Sequence, residues 1–153
     1  MVRKLFIGLV LMATLAATSA FASDPYIELL KEDVRAEKKA IIEEVMEFSD
    51  VEAMRFWRVY NEYDRQLGMI WKDRVRMIKD FAKHYGAIDD KKAARIADTA
   101  FRLESRRTNL KRKFFPRFSK AVGAKRTAQF FQLERSINLL IEIQIAAELP
   151  LLD

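Results

Sequence analysis

This chain predicts an all-α fold of four helices, with a long antiparallel helical hairpin at its centre. Three observations carry that prediction. Beyond residue 23 the only glycines and prolines are Gly68, Gly86, Gly123, Pro25, Pro116 and Pro150. The composition is rich in Ala, Leu, Glu, Lys and Arg, the residues that favour helix. Apolar residues recur at alternating three- and four-residue spacing along two long stretches separated by a short turn. No repeat of fixed period and no low-complexity tract interrupts this pattern.

The N-terminus, MVRKLFIGLVLMATLAATSAFASDPY, has a different character. Arg3 and Lys4 precede an apolar run from Leu5 to about Ala17, and Ala20-Phe21-Ala22 fits the A-x-A pattern of a cleavage site. That is the layout of a secretory signal peptide, residues 1–22. A membrane span needs about 20 apolar residues, and this run has roughly 13. The chain has no cysteine, so neither a disulfide nor a lipoprotein anchor is expected. The bacterial periplasm is the expected location, with residues 23–153 forming a single all-helical domain.

The first helix is expected from Pro25, which suits a first turn, to Met46. Ile27, Leu30, Val34, Ile41, Val45 and Phe48 lie near one face, and Lys38 interrupts them. The second begins at Ser49-Asp50-Val51-Glu52, where Ser49 and Glu52 form a capping box. It should run to Tyr85, with Gly86 as a left-handed stop. Ala53, Phe56, Tyr60, Tyr63, Leu67, Ile70, Met77 and Phe81 make its stripe, with Arg74 the polar member. About 35 residues is well above the mean helix length, and so long a stripe asks for an equally long partner.

That partner starts at Asp89 or Asp90 as the cap. Ala93, Ile96, Ala100, Leu103, Leu110, Phe114 and Phe118 form its seam, with Arg107 inserted to pair a carboxylate or stack on a ring. Pro116 should kink the helix or end it locally, and Gly123 closes the segment. The fourth helix covers about Ala124 to Ala147, with Phe130, Leu133, Ile137, Leu140 and Ile141 inward. Its end, INLLIEIQIAAELPLL, is apolar nearly all round. Glu142, Gln144 and Glu148 argue against a membrane span, so a homodimer interface is expected there.

Charge is sorted along the chain. Residues 23–64 hold 12 acids and 6 bases; residues 90–126 hold 3 acids and 13 bases. Acidic and basic helices could simply neutralise one another, or the basic segment could face acidic partners. NLKRKFFPRFSKAVGAKR, residues 109–126, mixes cations with three phenylalanines. Such a mixture can bind nucleic acid, but an exported protein rarely meets one, and no nucleic-acid partner is expected. An anionic membrane surface could bind residues 91–126 in a salt-dependent way. Phe114 and Phe118 share a face with Phe115 turned about 100° away. Either Phe115 is exposed, or all three pack around the proline.

The residue types give little purchase for catalysis, and no enzyme activity is expected. His84 is the single histidine, and its place at a helix C-terminus suits the helix dipole. Glu43, Glu44 and Glu47 read as a solvated face, and no glycine-rich phosphate loop occurs. Transition-metal sites need several His or Cys ligands, so neither metal nor other cofactor is expected. Met46, Met54, Met69 and Met77 read as core filler rather than copper ligands. Trp57 and Trp71, with Tyr60 and Tyr63, form an aromatic strip that either packs on the third helix or binds a partner.

The order of helices and the motif Phe48-Ser49-Asp50-Val51-Glu52 resemble the Spy/CpxP group of periplasmic proteins. That group carries two L-T-x-x-Q motifs. Here the first keeps its capping chemistry, with Phe, Ser and Glu substituted, while the second, Val122-Gly123-Ala124-Lys125-Arg126, keeps only its apolar first residue. FWRVYNEYD, with Phe56, Trp57, Tyr60 and Tyr63, together with FFQLE at 130–134, is also similar to small exported bacterial proteins that carry F-W-x-x-Y-x-x-Y. The first resemblance implies an ATP-independent chaperone: a curved dimer whose basic, partly apolar face binds unfolded or envelope proteins. The client-binding residues would then be Arg106, Lys111, Arg112, Lys113, Phe115, Arg117 and Lys120. The alternative it implies is an envelope-stress regulator or adaptor that holds one specific protein.

Overall fold

The computed structural model describes residues 37–148, with side chains as far as residue 143. The signal peptide expected at 1–22 and the N-terminal half of the expected first helix lie outside the described residues. The fold is all-α. Helix α1 covers 37–46, α2 Asp50–His84, α3 Asp90–Val122 and α4 Ala124–Glu148, with a 3-10 turn at Tyr85–Ala87 between α2 and α3.

Local chemistry sets most boundaries. Glu47 turns into the left-handed region (φ 44°) after α1, and Ser49 then caps α2. The Glu52 N–H donates to Ser49 Oγ, and the Ser49 N–H donates to the Glu52 carboxylate at 3.1 Å, the two halves of a capping box. Asp89 caps α3 by accepting the Lys92 N–H at 2.7 Å. Gly123 ends α3 at φ 85°, a conformation that costs a Cβ-bearing residue energy.

Two expectations need correction here. Gly86 is not a left-handed stop, because α2 tightens into the 3-10 turn and Gly123 is the one glycine among the described residues with positive φ. Pro116 does not end α3, which continues through it to Val122. Proline removes only its own N–H, so the Arg112 carbonyl loses its helical donor. Residue 116 is exposed, and water can serve that carbonyl.

Helices α2 and α3 run antiparallel. Glu62 meets Arg117, Gln66 meets Lys113 and Asp73 meets Arg106, so each step forward on α2 is matched by an equal step back on α3. Helix α4 turns back along this pair, with Glu134 against Tyr63 and Lys111 and Glu142 against Arg74 and Arg107. Helix α1 is antiparallel to α4: Lys38 reaches Glu134, and Arg126 donates to the Met46 carbonyl at 3.0 Å.

The core lies where all four helices overlap. Phe56, Tyr60, Tyr63, Phe114, Phe118 and Phe130 are all essentially inaccessible; Phe56 stacks on Tyr60, and most of the other contacts are tilted or edge-on. Edge-on geometry sets the positive ring edge on the negative face of a neighbour. Phe115 stays 39% exposed, stacking on Phe131 at 6.2 Å. Of the four methionines expected to fill the core, Met46 is buried and Met77 half-buried, but Met54 and Met69 are 59% and 54% exposed. Their positions fall outside the seam of α2. Between residues 71 and 102 no side chain is buried, so among the described residues little packs against the far part of the α2–α3 pair, which forms an arm.

Helix α1 also packs in a different register from the expected stripe. Lys38, Ile42 and Met46 are buried, whereas Val45 is 53% exposed. The supposed interruption at Lys38 is a member of the inward face, held there by a counter-charge.

Candidate functional site: a basic helix face and a buried carboxylate

Helix α3 turns Leu103, Leu110, Phe114, Phe118 and Val122 inward, which spreads its cations over the remaining faces. The structure sorts the seven residues expected to bind clients into two groups. Arg106 donates to Asp73 at 2.6 Å, and Arg117 makes two hydrogen bonds to Glu62 at 2.8 and 2.6 Å while lying 4.6 Å from the Phe114 ring centre. Lys111 turns inward to Glu134, 3.4 Å away. These three are engaged within the molecule. Arg112 and Lys120 are exposed with no acidic partner among the described residues. Lys113 makes no ion pair; it meets the Gln66 amide at 3.4 Å and the Phe114 ring at 5.8 Å, with its charge felt by Glu62, and Phe115 is part-exposed.

The pairing shifts the acids in the direction it should. A hydrogen bond from Arg117, and its charge, hold Glu62 below the usual carboxylate range, and Glu62 in turn raises Arg117. Arg106 does the same to Asp73 by hydrogen bonding, with Arg76 adding charge. Backbone and side-chain hydrogen bonds from Ser49 lower Glu52. Acidic α2 therefore neutralises part of basic α3, and the remainder is the free charge of this face.

The best-organised polar site is one that residue-type reasoning did not single out. Glu134 of α4 is fully buried. It accepts from Lys38 of α1 at 3.1 Å and from Tyr63 of α2 at 2.9 Å to each oxygen, and Lys111 of α3 approaches the second oxygen. One carboxylate thus joins all four helices. Burial, and then the adjacent Glu134 charge, push the Tyr63 phenol far above its usual range, so Tyr63 stays protonated and serves as a donor. Helix α4 repeats the arrangement at Glu142, shared between Arg107 at 2.7 Å and Arg74 at 3.3 Å. Burial pushes the Glu142 carboxyl up, but the two guanidinium groups outweigh it and hold it low.

A signal for this hub was present in the sequence. Glu134 stands four residues after Phe130 on the inward face of α4, and Lys38 stands in the apolar stripe of α1. Two opposite charges on two apolar faces are a pair waiting for a register. FWRVYNEYD and FFQLE supply Tyr63 and Glu134, so both motifs meet at this point.

The remaining functional candidates fall as follows. His84 lies in the last turn of α2, its Nδ1 2.9 Å from the Asp80 carbonyl and 3.1 Å from the Asp80 carboxylate. Trp57 is half-buried edge-on to Phe56 and Tyr60. Among the described residues, no group of three or more His, Cys, Asp or Glu could hold a metal, and no helix is long and apolar enough to cross a membrane. Large apolar side chains are exposed at Phe101 (65%), Ile143 (58%) and Leu139 (54%). Comparison with family models, curated proteins and solved structures finds no match.

Proposed function

We propose that this protein is an ATP-independent, chaperone-like binder of unfolded or envelope proteins, exported to the periplasm, with a Spy/CpxP-like arrangement of helices. The observation that carries this reading is the coexistence of exposed large apolar side chains with cations that lack acidic partners on one helical frame. Phe101 and Met69 supply apolar contact area, and Arg112, Lys113 and Lys120 supply long-range attraction. Weak apolar contacts with electrostatic capture suit clients that share no sequence. Leu139 and Ile143, one turn apart on the outer side of α4, support a second copy of the chain as the homodimer partner.

A second reading, an adaptor or stress regulator for one protein, is favoured by the engagement of Arg106, Lys111 and Arg117. Their internal pairs leave a smaller, more defined charged surface than the sequence suggests.

Suppression of aggregation of two unrelated denatured proteins, without ATP, separates the two readings. Suppression of both, reduced at least several-fold by joint Arg112→Glu and Lys120→Glu replacement and by raised salt, supports the chaperone. Those two positions are the right probes because neither holds the fold together. No suppression of either substrate at several-fold excess overturns it in favour of the adaptor.

A further inference from the structure

The seam between α2 and α3 is a ladder of polar rungs with one rung missing. Glu62–Arg117 and Gln66–Lys113 are successive rungs one turn apart, and Asp73–Arg106 continues the same register. Between the second and third, that register sets Met69 and Ile70 of α2 opposite Asn109 and Leu110 of α3. No polar pair closes this gap. It opens instead as a groove of about 300 Å³, at the small end of ligand pockets and sized for a side chain or two rather than a large cofactor. Its floor is Ile70 and Leu110, both buried, and Met69 stands 54% exposed at its wall.

Charge at the two ends of the groove is out of balance. At one end Lys113 meets the Gln66 amide and adds its charge to that of Arg117 around the single carboxylate of Glu62. At the other, Asp73 is shared by Arg106 at 2.6 Å and Arg76 at 2.8 Å, two cations on one carboxylate. Seven residues separate Arg106 from Lys113, about 10 Å along the helix. An apolar floor with surplus positive charge at both ends is complementary to a bulky apolar side chain with acidic neighbours. The unbranched Met69 thioether can adapt to different side chains.

We propose that this groove docks acidic peptide segments that carry one bulky apolar side chain, which seats on Met69, Ile70 and Leu110 while neighbouring carboxylates meet Arg106 and Lys113. The proposal rests on the reading that this protein binds non-native chains, and names the segments it captures.

Fluorescence anisotropy with the full protein and three labelled peptides tests it: an acidic peptide with a Leu-Phe centre, the same centre flanked by lysines, and the acidic peptide with serines at its centre. The first should bind at least ten-fold tighter than either other, and weaken as salt shortens the screening length. Met69→Lys and Lys113→Glu should each weaken it at least ten-fold with helical content and melting temperature unchanged, whereas Lys125→Glu, exposed in the first turn of α4 and away from the groove, should change it less than two-fold. Equal binding of the lysine-flanked peptide, no binding of the acidic one, or full affinity in Met69→Lys overturns the groove. Aggregation suppression in the same variants keeps the two ideas apart. Suppression without peptide binding removes the groove and leaves the chaperone reading standing. Peptide binding without suppression does the reverse.

Discussion

Replacing Glu134 by glutamine would leave Lys38 and Lys111 facing a neutral amide, with Lys38 itself 5% exposed. Removing one partner of a buried ion pair typically costs about 3–5 kcal/mol, so Glu134→Gln should lose that much in urea unfolding. Tyr63→Phe removes only a donor and leaves both lysines in place, so about 1.5–3 kcal/mol is expected. A loss under about 1 kcal/mol for Glu134→Gln would mean that water reaches the hub. Tyr63 also gives the alkaline side a sign. Its phenol titrates higher when folded than unfolded, so the native state retains a proton the unfolded chain gives up, and this contribution is lost as pH rises beyond about 10. At this scale the sequence was legible wherever residue type and face agree: Phe114 and Phe118 share one buried face, and Arg107 pairs with Glu142, whereas the place of Phe115 was left open. It was opaque where a charge faces inward, because partners 96 residues apart, as Lys38 and Glu134 are, have no local signature.

Elements follow from short-range chemistry, and their failures do too. The S-x-x-E spacing at Ser49 specifies its cap from four residues, and Ser49→Ala should cost about 1 kcal/mol. Proline is a weaker signal than its reputation, because the packing of Phe114, Phe118 and Val122 on either side holds α3 together through Pro116. Pro116→Ala should restore the donor to the Arg112 carbonyl and stabilise the protein by roughly 1–3 kcal/mol. A loss of stability instead would show that the proline sets a bend on which the packing depends. The α2–α3 seam carries the acid response. Glu62 and Asp73 titrate lower in the folded state than in the unfolded chain. Their contribution is therefore fully present above about pH 4–5 and is lost as pH falls through the lowered folded values. Denaturation midpoints should be flat from neutral pH down to about 5 as far as these groups are concerned, then drop. Arg117→Gln and Arg106→Gln should each flatten that drop. Which cations pair and which stay free could not be read from composition, since the answer depends on the register that opposes Glu62 to Arg117.

Seen as a whole, the molecule has a packed end and an arm. Glu134 gathers one side chain from each of the other three helices at the packed end, and Glu142 ties α4 to both long helices further along. Beyond that level α2 and α3 continue together, with Asp80 near Lys92 at 3.5 Å and no buried side chain from residue 71 to residue 102. Helical pattern continues unbroken through this arm, which is why sequence periodicity shows two long helices without showing where their support stops. Local opening costs least where few apolar contacts are lost. Amide hydrogen exchange should therefore be fastest in 75–98, intermediate in the α1 turn around Glu47, and slowest at 56–67 and 110–122. The Glu134→Gln variant gives this gradient its control. Its loss should speed exchange at the packed end, where opening approaches global unfolding, and leave the arm nearly unchanged, because the arm already opens without breaking the hub. Uniform protection along α2 and α3 would mean instead that the arm is covered in solution, as a second copy of the chain would cover it. Dilution then decides: protection that falls with protein concentration belongs to a dimer, and protection that does not belongs to the single chain.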